Sequence, residues 1–367
     1  MRHRTERLIL ILTAVLLWGP LAQVSAEPKK EDETPKYQNL MWPPPPLQPR
    51  IRYVGFITGE MDVKEKKKPS WIDRIAGRPP ETEQLRLTRP YGIAVDKDGR
   101  IFVADSFRRQ ILIFDRQEHV AGAWSGNAQI PLSLPVGLAL DSQSRLYVSD
   151  SFAAQIVLFN PDGQPVLAFG QDVLKRPAGL ALDERRTRLY VSDTKLNEIF
   201  VFEVATLKLL KRFGGPSTSG NPEPGRFSAP SNLALDRRGR LYVTDTFNCR
   251  IQIFDPEGKF LRMFGTQGDR PGDFVRPKGI ALDSEEHIYV IDAAFNNLQV
   301  LTSEGQPLLF VGSMGEAPGQ FLLPTGIAID DQDRIYVTEH RLTAGRLQIF
   351  QYLRQPQSSP DGKNGGK

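Results

Sequence analysis

The sequence predicts an all-β chain folded as a six-bladed β-propeller of four-stranded blades, and three observations carry that prediction. One unit recurs six times, its leading prolines (Pro90, Pro135, Pro177, Pro230, Pro277 and Pro324) lying 45, 42, 53, 47 and 47 residues apart. Every unit holds a short apolar strand ending in Asp, then an aromatic-Val strand ending in an acid, as in Leu241-Tyr-Val-Thr-Asp245. The turns between are rich in the 31 Gly and 29 Pro of the chain. A period in the forties with four short strands per unit is what a propeller blade requires.

The elements follow in order. Arg2, Arg4 and Arg7 precede an apolar run, Leu8 to Leu17, broken by Trp18-Gly19-Pro20 and ended by Val24-Ser25-Ala26. That order is a secretory signal, with cleavage expected after Ala26 and a periplasmic or extracellular destination. The run is short for a bilayer, so no membrane span is expected after cleavage. No Cys stands directly after it, which argues against a lipoprotein anchor. Residues 27–49 are charged and then proline-rich, and read as a tether. Residues 50–354 form the propeller, and the polar residues 355–367 read as a disordered tail.

Ile51-Arg-Tyr-Val-Gly-Phe-Ile57 is an orphan strand upstream of the first unit, while the sixth unit lacks its fourth strand after Leu347-Gln-Ile-Phe350. The two are expected to pair, so that the termini close the last blade and leave no open edge. Residues 60–84 are a charged insertion in which Ser70 would cap a short helix with Trp71, Ile72 and Ile75 on one stripe. That helix either covers the rim or docks a partner. A second insertion, Gly214 to Gly225, explains the long gap between units three and four. Within unit four, strand A is expected over 232–235, B over 241–244, C over 250–254 and D over 260–264. Gly239 and Gly258 lie in the turns between them.

Composition excludes more than it assigns. The formal net charge is +4, and three arginines against one glutamate sit in the first 26 residues, so the remainder is close to neutral. No nucleic-acid footprint follows from that. The single Cys, Cys249, cannot form an internal disulfide and reads as a packed small residue.

The acids that stand out do so in every unit: Asp105, Asp150, Asp193, Asp245, Asp292 and Glu339. A residue needed six times does a job every blade has, here accepting backbone N–H groups of a loop. Zinc chemistry would need converging histidines. His119, His287 and His340 fall in different turns, so no metal and no cofactor is expected. What differs between units is the face formed by the D–A and B–C loops. The residues after the prolines (Tyr91, Val136, Ala178, Ser231, Lys278, Thr325) should line the channel mouth. Around them lie Arg89, Arg108, Arg109, Arg176, Arg250, Arg276, Arg341 and Arg346, with Phe107, Phe152, Phe247 and Phe295. Two readings stay open. Cations beside exposed aromatics suit an anionic or sugar-like ligand or an acidic partner. Alternatively the phenylalanines pack between blades and the arginines pair with the repeated acids. The candidate binding residues are Tyr91, Arg109, Arg176, Ser231, Arg250, Arg276, Lys278 and Thr325.

Tyr242-Val-Thr-Asp-Thr-Phe-Asn-Cys-Arg-Ile-Gln-Ile-Phe254, followed by Gly258 and Phe264-Gly265, closely resembles the NHL repeat. Units one, two and five match well, and units three and six diverge before strand C. The resemblance spans about residues 85–354 and implies a binding platform for a protein or polymer partner. Related six-bladed propellers include lactonases, strictosidine-synthase-like enzymes and a zinc-dependent peptide-amidating lyase. A metal-dependent, lactonase-like hydrolase with its site in the channel is therefore the alternative expectation, because fold alone does not choose. RNA binding, known among NHL proteins, fits poorly with an export signal.

Overall fold

The structure is a computed structural model that describes residues 37, 39–64, 85–218, 222–341 and 344–354. The expected signal segment, the short helix expected after Ser70 and the tail expected over 355–367 lie outside the described residues. Six antiparallel sheets are present, five of four strands and one of five. The first strands of the blades are Pro90–Val95, Pro135–Leu140, Pro177–Asp183, Pro230–Leu235, Pro277–Leu282 and Pro324–Ile329. Each packs against the first strand of the next blade, and the sixth against the first, so the ring is closed.

The continuous apolar run of strand B follows from this geometry. Successive side chains of a strand point to opposite faces, and here both faces meet another blade. Leu241 and Val243 pack toward blade three, and Tyr242 between them packs toward blade five. Six apolar clusters result, one at each blade interface. The outer strands meet solvent on one side and alternate accordingly, as Phe260–Phe264 does.

Around the channel the first strands approach so closely that a Cβ has no room. The third residue of strand A is Gly92, Gly137, Gly179, Gly279 or Gly326, with Asn232 in the fourth blade. A Cβ on Gly137 would meet the Ala178 carbonyl oxygen, and on Gly326 the Tyr91 carbonyl oxygen. The Gly137 N–H also donates to Ser149 Oγ (2.7 Å), which in turn donates to Ala178 O (2.5 Å). Gly137→Ala is expected to cost about 1–3 kcal/mol through overpacking against rigid backbone. Urea unfolding checks it, and an unchanged midpoint would contradict it.

The expected closure is present. Residues Ile51–Ile57 pair antiparallel with Gly345–Tyr352, with Ile51 opposite Tyr352 and Ile57 opposite Leu347. Ile51 and Tyr53 join the cluster between blades five and six, and Ile57 joins that between blades six and one. The composition of the proline-rich stretch gave no sign of what its last residues do. Met41–Trp42 pairs with the closing strand as a fifth strand, and Trp42 sits edge-on to Phe350 at 5.7 Å. Arg50 N donates to Trp42 O (2.7 Å), which folds the intervening prolines back on themselves.

Candidate functional site

The D–A and B–C loops meet on one face because the acid ending strand B holds both. Asp105 accepts from Thr88 N (2.6 Å) in the D–A loop and Arg108 N (3.1 Å) in the B–C loop. Asp150 does the same with Ser133 N and Ala153 N, Asp193 with Lys175 N and Leu196 N, and Asp292 with Val275 N and Phe295 N. Backbone bonds run the other way across the same gap, such as Ser106 N to Arg89 O (3.1 Å) and Ala293 N to Arg276 O (3.0 Å). These carboxylates are buried and their lone pairs are taken up by N–H groups. Their repetition reports a structural clamp.

Two blades add a guanidinium to the clamp. Arg250 opens strand C opposite Asp245, donates to it from Nε (2.8 Å), and gives its remaining donors to the carbonyls of Pro222, Glu223 and Arg226. Arg346 does the same for Glu339, Glu316 O and Gln320 O. Arg250 is therefore withdrawn from the candidate binding residues: it is 3% exposed, and all its reach is consumed internally. Thr325 is also buried, its hydroxyl donating to Pro90 O (3.0 Å) across the seam between blades six and one.

The clamp pushes the loop tips outward. Phe107, Phe152 and Phe247, each two residues past the acid, are 67%, 81% and 69% exposed. They do not pack between blades; Phe295, displaced one position along its loop, is half-buried. Leu134, Val275 and Leu323 on the D–A side are also exposed. Among them stand Arg89, Arg109, Lys175, Arg176, Lys195 and Arg276, all exposed. None of these six is ion-paired among the described residues. Exposed apolar side chains interleaved with free cations thus occupy one face.

Tyr91, Ser231 and Lys278 lie half-buried at the mouth itself. Burial, reinforced by the neighbouring Arg276 charge, pushes the Lys278 ammonium below the usual lysine range. Ser231 Oγ contacts Thr246 Oγ1 (2.8 Å) and Thr244 Oγ1 (3.0 Å). His340 is a mouth residue that sequence reasoning missed. Its ring meets Tyr91 edge-on at 4.8 Å and its Nε2 is 2.7 Å from Pro90 O. A carbonyl can only accept, so Nε2 carries the proton, and burial holds the ring below the ordinary histidine range. Alignment of the units carried the signal: after the strand-B acid stand Ser106, Ser151, Thr194, Thr246 and Ala293, and only in the sixth unit a histidine. His119 and His287 bond elsewhere, to Val63 O and Asp283. Among the described residues no three His, Cys, Asp or Glu side chains come together in a metal-holding group.

The comparisons agree with this architecture. The model of the DUF5128 family, described as a 6-bladed beta-propeller, matches residues 226–298. NHL repeat-containing protein 2 of Gallus gallus is 32% identical over 96 residues, 24% of this chain and 13% of that protein. Protein brain tumor of Drosophila melanogaster is 48% identical over 46 residues, 12% of this chain and 4% of that protein. The chain thus spans only a small part of the length of these curated relatives. Virginiamycin B lyase from Staphylococcus aureus superposes with a TM-score of 0.53 at 15% identity, over 72% of this chain and 96% of that one. A structural genomics protein from Bacteroides thetaiotaomicron reaches 0.60 at 15% identity, over 81% of this chain and 76% of that one. Likeness at such identity shows the fold alone. With six blades closed into a ring, this chain is a six-bladed β-propeller, and a part of it is similar to NHL repeat-containing protein 2.

Proposed function

We propose that this propeller is an exported, non-catalytic binding module whose working surface is the face of the D–A and B–C loops, and that its partner is an acidic protein surface. One observation carries the reading: three exposed phenylalanines stand among six exposed cations that have no ion pair among the described residues. Monomeric surfaces rarely expose several large apolar side chains together without a use for them. Aromatics and arginine are the residue types that interfaces concentrate. Free cations on the same face steer an acidic partner toward it and set its register. The rigid clamp beneath keeps the loop tips pre-organised, which lowers the entropy cost of docking. Export rests on the N-terminal segment, whose charged, apolar and small-residue regions have the order of a signal.

The triple substitution Phe107→Ser, Phe152→Ser and Phe247→Ser tests the face. Immobilised wild-type protein should retain a defined partner from the envelope fraction, and the triple variant should retain it at least about tenfold less, since central aromatics often carry about 2 kcal/mol each. Its melting temperature should stay within about 2 °C, because exposed positions contribute little to stability. Arg176→Ala with Arg276→Ala should weaken capture most at low salt. Equal retention by all variants overturns the reading.

A further inference from the structure

We propose that the channel mouth is a receptor for a single carboxylate, with the Lys278 ammonium as its counter-ion and Tyr91 and His340 beside it. The inference rests on the binding-face reading only in placing the ligand on that face.

Six arginines that the fold draws wholly or partly out of water are each matched by a counter-charge. Arg250 and Arg346, 3% and 2% exposed, each have a carboxylate and two or more carbonyls. Arg100, Arg145, Arg240 and Arg334, partly buried at the A–B turns, each meet the Asp that ends strand A. Lys278 breaks the pattern. It is half-buried at the start of an innermost strand, yet its ammonium has no hydrogen bond and no ion pair among the described residues. The charge that acts on it is Arg276, of the same sign. Removing a cation from water without a partner is unfavourable, so such a site is poised to accept an anion from outside.

The surroundings define which anion. Five of the six ring positions are neutral: Tyr91, Val136, Ala178, Ser231 and Thr325. His340, within electrostatic reach of Lys278 and Arg89, is held neutral by burial with its proton on Nε2 toward Pro90 O. Asp105 pulls the same ring the other way but is clamped by backbone N–H groups. Of the six ring positions only Lys278 is charged, with Arg276 and Arg89 on the exposed rim around it, and a single ring ammonium matches a monoanionic carboxylate better than a phosphate dianion. The Tyr91 hydroxyl makes no hydrogen bond among the described residues, and is free to donate one.

Thermal melts of the full chain with hippurate, at ionic strength held constant with chloride, test the site. Hippurate mimics a peptide C-terminus; propionate mimics an acidic side chain or small acid; hippuric amide and phosphate are the contrasts. Wild type should gain roughly 2–4 °C at hippurate tenfold above its Kd, saturably. Lys278→Met, which keeps the apolar stem, should lose that gain, and Lys278→Arg should retain it. Propionate acting alone would assign the site to a side chain or small acid. Equal shifts in wild type and Lys278→Met, equal shifts with the amide, a larger effect of phosphate, or no shift with either carboxylate each overturn the proposal. A ligand-free readout stands beside it. At neutral pH Lys278→Met should melt above wild type, because it removes an uncompensated charge. Since burial depresses the folded-state pKa, that advantage should shrink as pH rises through the lysine range and wild type sheds the charge. The phenylalanine triple variant should keep the hippurate shift. Hippurate binding without loss of partner capture in that variant rejects the binding face and keeps the mouth; the reverse result keeps the face and rejects the mouth.

Discussion

A chain lacking residues 37–57 should fail to fold at physiological temperature, or melt at least about 10 °C below the full chain. Ile51, Tyr53 and Ile57 are buried in two different interblade clusters. Burial of each such side chain stabilises by about 1.5–3 kcal/mol, together roughly 4–9 kcal/mol, which is comparable with the whole stability of an ordinary domain. The loss falls on the one blade that joins the two ends of the ring. It also exposes Gly345–Tyr352 as a long, apolar, unpaired edge, which invites strand addition between molecules. Calorimetry should therefore show the drop, and size-exclusion chromatography should show oligomers that a peptide of residues 50–59 suppresses. A truncated chain that melts like the full one would mean that the pairing of 51–57 contributes nothing to closure.

The second large effect is expected at a single atom group. Asp245→Ala should destabilise by about 3–5 kcal/mol, the cost of leaving a buried cation without its partner. Arg250 cannot turn to water, since it is buried and fixed by three carbonyls. The same substitution at Asp105 should cost less, about 1–3 kcal/mol, because Gln110 stands where Arg250 does and only N–H groups lose an acceptor. The double variant Asp245→Ala with Arg250→Met should recover much of the loss. Urea unfolding of the four proteins gives the comparison, and equal costs at Asp245 and Asp105 would show that the guanidinium is not the source.

Most of the fold was legible in the chain because its signals are local. A blade is specified by alternation over five residues, by an acid at the strand end and by a turn glycine, and six repetitions remove the ambiguity of any one. The closing strand was legible for a different reason: a unit short of one strand and a strand short of a unit imply each other. The site was only partly legible. Phe107, Phe152 and Phe247 look in the sequence like the core residues Phe254 and Phe274, and only their place two residues beyond a clamped acid turns them to solvent. Arg250 and Arg276 are equally cationic, but one opens a strand opposite a buried Asp and the other precedes an innermost proline on the rim. His340 reads in the sequence only as a candidate metal ligand, because its place at the mouth depends on Pro90, 250 residues away. Met41–Trp42 escaped for the same reason, being a strand only because an edge was waiting for it.

The sequence by itself thus determined the number of blades, the strand order within each and the closure by residues 51–57, since periodicity and turn chemistry act over a few residues at a time. The tertiary structure alone decided which repeated aromatics face water, which arginines are spent on internal pairing, and that Lys278 and His340 share one mouth. Those properties depend on which distant neighbours remove water from a group or supply its counter-charge, and the ring sets both only when it closes.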